Sequence, residues 1–202
     1  ILVIGYSLSG TILMNMLIRS SKEEFKNVEK FVTVCSPVDL KKSSEYVQQG
    51  VKRMFDIYYS YELKKLLRKQ KMNNPDKKFP EMRGIYSVIG FDTVFTARHA
   101  GYDNVEDYYQ DCSPILRMRE IEHNIEMIFA KDDPLISEGC LAKIPRNSQT
   151  IELNIQESGG HLGFYSDVPT RFNDNRWLDA YLFRTAENLF KRRDPILLRE
   201  AA

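Results

Sequence analysis

ILVIGYSLSG, residues 1–10, joins a short apolar run to a serine set among small residues. Four apolar residues bounded by glycine read as a buried strand. From residue 8 to 20, Leu13, Met14, Met16, Leu17 and Ile18 recur at near-helical spacing, so the stretch reads strand, tight turn, helix. That is the setting of a nucleophile elbow, in which a serine occupies a strained turn and presents its hydroxyl above a sheet edge. The usual pattern is Gly-x-Ser-x-Gly; here Ser9 stands at the last position and Gly10 follows. Serine adds one small hydroxymethyl group, which the turn accepts if position 9 has room for a Cβ. A serine after a strand also serves as an ordinary helix N-cap, so the motif alone assigns no chemistry.

The rest of the chain supplies a context. Residues 30–34 (KFVTV) form a second apolar strand, closed by Ser36-Pro37-Val38-Asp39. A strand–helix–strand unit of this length implies a parallel crossover. The rhythm resumes at 124–130 (NIEMIFA), followed by Lys131-Asp132-Asp133-Pro134, and at 150–155 (TIELNI), followed by a glycine-rich turn and His161. Between them, 41–112 shows no strand pattern and reads as a helical, aromatic insert. Its residues 51–71 predict one amphipathic helix ending near Asn73-Asn74-Pro75, with Leu63, Leu66 and Leu67 inward; Lys64, Lys65, Arg68, Lys69 and Lys71 read as its solvated side in preference to a phosphate- or membrane-facing patch. A last helix is predicted over 175–192. The fold class is therefore α/β, a mostly parallel sheet flanked by helices. It divides into 1–40 with the elbow, the insert 41–112, and 113–202 with the acidic and histidine turns, all within one domain.

Composition excludes several roles. The 202 residues are 43% hydrophobic and 28% charged with a formal net charge of +1, the profile of an ordinary globular domain. Near-neutral charge gives nucleic acid no support as a partner. Cys35, Cys112 and Cys140 are scattered without C-x-x-C spacing. They argue against a zinc site and a disulfide framework and favour a reducing, intracellular compartment. No cofactor or metal is expected. No stretch approaches the roughly 18–20 apolar residues that span a bilayer. The chain opens inside a strand whose ladder groups need partners, so a preceding segment is expected and the chain reads as a fragment. Any targeting or membrane segment would lie there.

The candidate chemistry rests on order. In hydrolases built on an elbow, the nucleophile is followed along the chain by an acid and then a histidine, on turns after later strands. Of three histidines, His123 precedes a strand and is expected at the surface, and His99 lies in the insert beside Arg98. His161 has Gly159 and Gly160 before it and Gly163 after it, which lets the loop turn sharply. Without the other two groups it would read as part of a surface loop. Between the adjacent acids, Asp133 is preferred, with Asp132 solvated or capping. Ser7 is then the nucleophile, His161 the general base and Asp133 its orienting acid. The backbone N–H of Leu8 contributes to an oxyanion hole.

GYSLSG, FDTVFTARHAGYDNVEDYYQDCSPI (91–115), AKDDPLI (130–136) and SGGHLGF (158–164) together resemble the abhydrolase subgroup of the α/β hydrolases. That subgroup holds YheT-type esterases, yeast medium-chain ethyl ester synthases and animal abhydrolase-domain phospholipases. The resemblance runs from residue 1 to about residue 192, and the 91–109 stretch is its most specific part. It implies an α/β-hydrolase fold whose N-terminal strands precede this chain, and it carries Ser7, Asp133 and His161 over as the triad. It also implies a second oxyanion donor outside this chain and a lid-like insert. In that insert Tyr58, Tyr59, Phe91 and Phe95 either contact an acyl chain or pack as core. The implied substrate is a medium- or long-chain acyl ester: a phospholipid, glyceride or simple ester. Membrane association would run through the preceding segment; oligomeric state is left open. Two alternatives remain: acyl transfer to an alcohol through the same intermediate, and a binding protein that keeps the fold without the reaction.

Overall fold

The computed structural model describes residues 1–146 and 149–193. Their elements, in chain order, are β1 (Leu2–Tyr6), α1 (Leu8–Ile18), β2 (Lys30–Val34), α2 (Leu40–Val47), α3 (Arg53–Asn73), α4 (Val88–Phe91), α5 (Ala97–His99), α6 (Val105–Cys112), β3 (Ile125–Ala130), α7 (Glu138–Leu141), β4 (Ile151–Gln156) and α8 (Trp177–Arg193). One π-helical turn, Asp92–Thr96, links α4 to α5. The end of the predicted third segment, 194–202, lies outside the described residues.

The chain divides into two compact units. One comprises, among the described residues, 1–36, 119–133, 145–146 and 149–193, and holds the sheet. The other comprises 37–118 and 134–144 and is helical, a wider set than 41–112.

In the sheet unit the strands run in the order β1-β2-β3-β4, every pair parallel. Val3 pairs with Phe31, Phe31 with Ile125, and Ile125 with Ile151. A parallel strand covered on both faces reads as a continuous apolar run; β3, IEMIFA, is buried at all six positions. Leu13, Met14 and Leu17 of α1 join Phe31, Val32, Met127 and Phe129 in the buried core of this unit. Truncating a buried phenylalanine such as Phe31 to alanine costs about 3–5 kcal/mol.

One polar residue sits in this apolar strand. Glu126 is fully buried, with Lys30 Nζ 2.6 Å from its Oε2. Its Oε1 accepts from Asn154 Nδ2 at 3.1 Å and from the Tyr181 hydroxyl. Burial opposes its ionisation, but the donors from Lys30, Tyr181 and Asn154 outweigh it and hold the carboxyl below its ordinary value. The network ties β2, β3, β4 and α8 together through side chains.

Two expectations fail on packing. His123 is buried, not at the surface: only 3% of it is exposed. It meets Phe25 and Phe31 edge-on, with centroids 5.7 and 5.5 Å away. Phe25 ends a 3₁₀ turn, Lys22–Phe25, and that turn completes an apolar box around the position before β3. Neither ring nitrogen has a hydrogen-bond partner among the described residues. In the helical unit Leu67 is buried, but Leu66 is exposed. The inward side of α3 is taken instead by Asp56 and Ser60, both fully buried. Asp56 is satisfied in part by the Val88 N–H, which donates to its Oδ1 at 2.7 Å.

Candidate active site

The turn between β1 and α1 is held from two sides. Ser7 N donates to Val34 O at 2.8 Å, tying the end of β1 to β2, and Gly10 N donates to Ser7 O at 3.0 Å. Ser7 itself has φ 49° and ψ −128°, a region that residues with a Cβ avoid at a cost of about 1–3 kcal/mol. It occupies the N-cap position of α1, yet its side chain makes no capping hydrogen bond. The hydroxyl points elsewhere: Ser7 Oγ lies 2.9 Å from His161 Nε2. Two interpretations of this serine were open, and the cap is not the one its side chain serves.

What forces the turn is the crossing of Gly5 and Gly10. A Cβ on Gly5 would lie 2.7 Å from Gly10 Cα and 2.9 Å from its N. A Cβ on Gly10 would lie 1.9 Å from Ser36 Oγ, 2.8 Å from Ser36 Cβ and 3.0 Å from Gly5 O. Ser9, at the position where the usual motif has glycine, is exposed. The close approach therefore falls on Gly10, and Ser9 has the room its Cβ needs.

The acid and the base come from the turns after β3 and β4, which are adjacent strands. Asp133 is 1% exposed. His161 Nδ1 lies 3.0 Å from its Oδ2 and 3.2 Å from its Oδ1. Asp132 has a different task, since its Oδ1 accepts from both Gly159 N and Gly160 N at 2.8 Å. That clamp fastens the histidine loop to the acid turn. The loop then closes on itself. Gly163 N and Phe164 N both donate to Gly159 O at 2.9 Å, and a Cβ at Gly159 would collide with the Phe164 ring at 2.6 Å. Phe164 O in turn accepts from Trp177 N at the start of α8, at 3.0 Å.

Cys35 was not singled out for this site by the sequence. It follows β2 directly, has φ 47° and is fully buried. Its Sγ is 3.8 Å from Gly160 O, and Sγ, an Asp133 carboxylate oxygen and a His161 ring nitrogen lie within 4.8 Å of one another. Burial first, and then the negative charge of Asp133, push the thiol up to about 12. The sulfur therefore stays protonated, a donor rather than a thiolate ligand. The only signal for it in the sequence is its place at the C-terminal end of a parallel strand, where sites of such sheets gather.

Leu8 opens α1, and its N–H belongs to the first turn, where helices leave donors without intrahelical partners. His99 is exposed in the helical unit and stacks on Phe95 with centroids 5.0 Å apart. Of the aromatics considered for acyl contact, Phe91 is buried while Tyr58 and Tyr59 are exposed.

With the Nδ1 proton directed to Asp133, Nε2 can accept the Ser7 proton. The arrangement is competent for general-base activation of a serine.

No family model matches the chain. It is 28% identical over 188 residues to the YheT esterase of Escherichia coli (strain K12), covering 89% of this chain and 55% of that protein. It is 27% identical to a monoacylglycerol lipase of Saccharomyces cerevisiae, covering 90% of this chain and 41% of the lipase. To monoacylglycerol lipase ABHD2 of Danio rerio it is 23% identical, covering 90% and 46%. The chain thus spans about half the length of the curated relatives it matches. Among solved structures it aligns with the esterase domain of a Rhodothermus marinus protein at TM-score 0.47 and 12% identity, covering 95% of this chain and 60% of that one. Along about nine-tenths of its length the chain is thus similar to proteins named YheT esterase and monoacylglycerol lipase, and its described sheet is parallel throughout and flanked by helices.

Proposed function

We propose that this chain carries the reacting groups of a carboxylic ester hydrolase that works through an acyl-enzyme at Ser7. The observation behind this is the hydrogen-bonded line Ser7–His161–Asp133, with links of 2.9 and 3.0 Å joining residues up to 154 positions apart. Ser7 Oγ attacks the acyl carbonyl carbon while His161 Nε2 takes its proton. The same nitrogen then returns the proton to the departing alcohol, leaving the acyl group on the serine oxygen. Water repeats the sequence and releases the acid. Asp133 holds the Nδ1–H tautomer and stabilises the imidazolium formed in each half. The Leu8 N–H, next to the nucleophile, faces the developing oxyanion.

The substrate class proposed is a medium- or long-chain acyl ester, glycerides above all. The support is the name monoacylglycerol lipase carried by several relatives. The test is fluorophosphonate labelling and monoacylglycerol hydrolysis by the full chain, with Ser7→Ala and Asp133→Asn beside it. Labelling is lost in Ser7→Ala, and kcat falls about 10⁴-fold in Asp133→Asn. A Ser7→Ala variant that labels and hydrolyses like the wild type refutes the assignment.

A further inference from the structure

The helical unit carries a surface that the proposed chemistry does not use. α3 turns Asp56, Ser60 and Leu67 inward. On its other side Met54, Phe55, Tyr58, Tyr61, Leu66 and Met72 are all exposed, the two methionines by 73% and 82%. At about 100° per residue these six fall within an arc of roughly 140° centred opposite Leu67. Lys65, Lys69 and Glu62 fall within the same arc, so its net charge is +1. Val51, 83% exposed in the preceding turn, extends the apolar end. Single exposed apolar residues are normal on a protein surface, but six on one side of one helix point to an interaction site.

Charge says what kind. Residues 50–86 contain ten Lys and Arg against four Asp and Glu, a net +6 in a chain whose total is +1. One of those four acids, Asp56, is fully buried. Beside the strip, Lys64, Arg68, Lys71 and Arg83 line a groove of about 460 Å³ with Leu67 and Phe79. Lys65 pairs with Glu62 at 3.5 Å, whereas Arg68, Lys69 and Lys71 have no acidic partner among the described residues. A second copy of the same face would bring like charge against like charge. A helix with exposed apolar side chains interleaved with lysines suits the boundary of a bilayer, where the rings and thioethers enter the headgroup region and the ammonium groups reach phosphates.

We propose that the outward face of α3 is a docking surface for an anionic lipid bilayer, with Met54, Phe55 and Tyr58 inserted and Lys65 and Lys69 set against acidic headgroups. The proposal stands on the helical unit alone and is independent of reaction at Ser7. It is tested by co-sedimentation of the full chain with phosphatidylcholine vesicles, either pure or containing about 30% phosphatidylserine. The wild type binds the mixed vesicles, binds the neutral ones weakly, and loses affinity as salt rises. Each Lys near an anionic surface is worth about fivefold, so Lys65→Glu/Lys69→Glu lowers affinity at least about 25-fold. Phe55→Glu/Tyr58→Glu abolishes binding without shifting the thermal melt, because neither ring is buried. In the unmutated protein, mixed vesicles protect Lys65 and Lys69 from an amine-acetylating reagent. Absence of wild-type binding, indifference to phosphatidylserine, unprotected lysines, or variants that bind like the wild type would overturn the proposal. So would a Phe55→Glu/Tyr58→Glu variant that keeps vesicle binding but dissociates a dimer, since the occupant would then be a second copy.

Discussion

Replacing Gly10 by alanine tests the account of the elbow, because two effects of opposite sign meet there. Gly10 lies in α1, and alanine in place of a helical glycine gains about 1 kcal/mol. Against this, the new methyl would sit 1.9 Å from Ser36 Oγ, 2.8 Å from Ser36 Cβ and 3.0 Å from Gly5 O. The hydroxyl can rotate away, but the Cβ and the carbonyl move only if β1, β2 and α1 separate. Overpacking of this kind costs about 1–3 kcal/mol, and contacts this short belong at the upper end. The balance is about 2 kcal/mol of destabilisation. For a chain of this size that lowers Tm by roughly 4–8 °C. The separation also displaces the turn that aims Ser7, so fluorophosphonate labelling slows in folded protein. Ser9→Gly, at an exposed position, changes stability by no more than about 0.5 kcal/mol. Thermal unfolding by circular dichroism and labelling rates on the three proteins settle the matter. A Gly10→Ala protein that melts with the wild type, beside a Ser9→Gly protein that does not, would refute the reasoning.

The buried polar groups give two further predictions. Glu126→Gln leaves Lys30 only the exposed Glu152, 3.1 Å away, as counter-charge and destabilises by about 1–2 kcal/mol at neutral pH, below the 3–5 of a fully buried pair because Lys30 is partly exposed and keeps that partner. The folded-state carboxyl is held below its ordinary value, so its contribution is whole above about pH 4.5 and is lost as pH falls through the folded value. Melts of wild type and variant from pH 7 to pH 3 therefore converge on the acid side; a gap that widens there contradicts the network. His123→Leu replaces two buried ring nitrogens, without a partner among the described residues, by an apolar side chain of similar volume and raises stability by about 1 kcal/mol. A lower Tm for that variant would mean that the imidazole has a partner after all.

Strands were legible as short apolar-rich runs bounded by turn residues: 30–34 coincides with β2, and 1–4, 124–130 and 150–155 differ from β1, β3 and β4 by one or two residues at their ends. The order serine, acid, histidine was equally readable, because each residue sits just past a strand, and the structure brings Ser7, Asp133 and His161 together. Details that depend on a third partner were not. A periodic leucine pattern put Leu66 inside, but Asp56 and Ser60 hold the inner side of α3, one of them satisfied by a backbone N–H thirty-two residues away. His123 was assigned to the surface from its place before β3, and only the turn carrying Phe25 covers it. Ser9 was acceptable in the elbow only with room for its Cβ, and the structure gives that room because the backbones cross at Gly10. Cys35 comes near Asp133 and His161 from the end of β2, which pairs with β3.

The backbone at Ser7 sets the proposed chemistry against endurance. At φ 49° and ψ −128°, glycine would sit without penalty, whereas serine holds that conformation at a cost of about 1–3 kcal/mol. The hydroxyl is thus kept at the single point of the β1–α1 turn where the chain would be sturdier without it. A laboratory selection of this protein for heat resistance alone would drift toward Ser7→Gly, and the proposed nucleophile would be lost together with the strain.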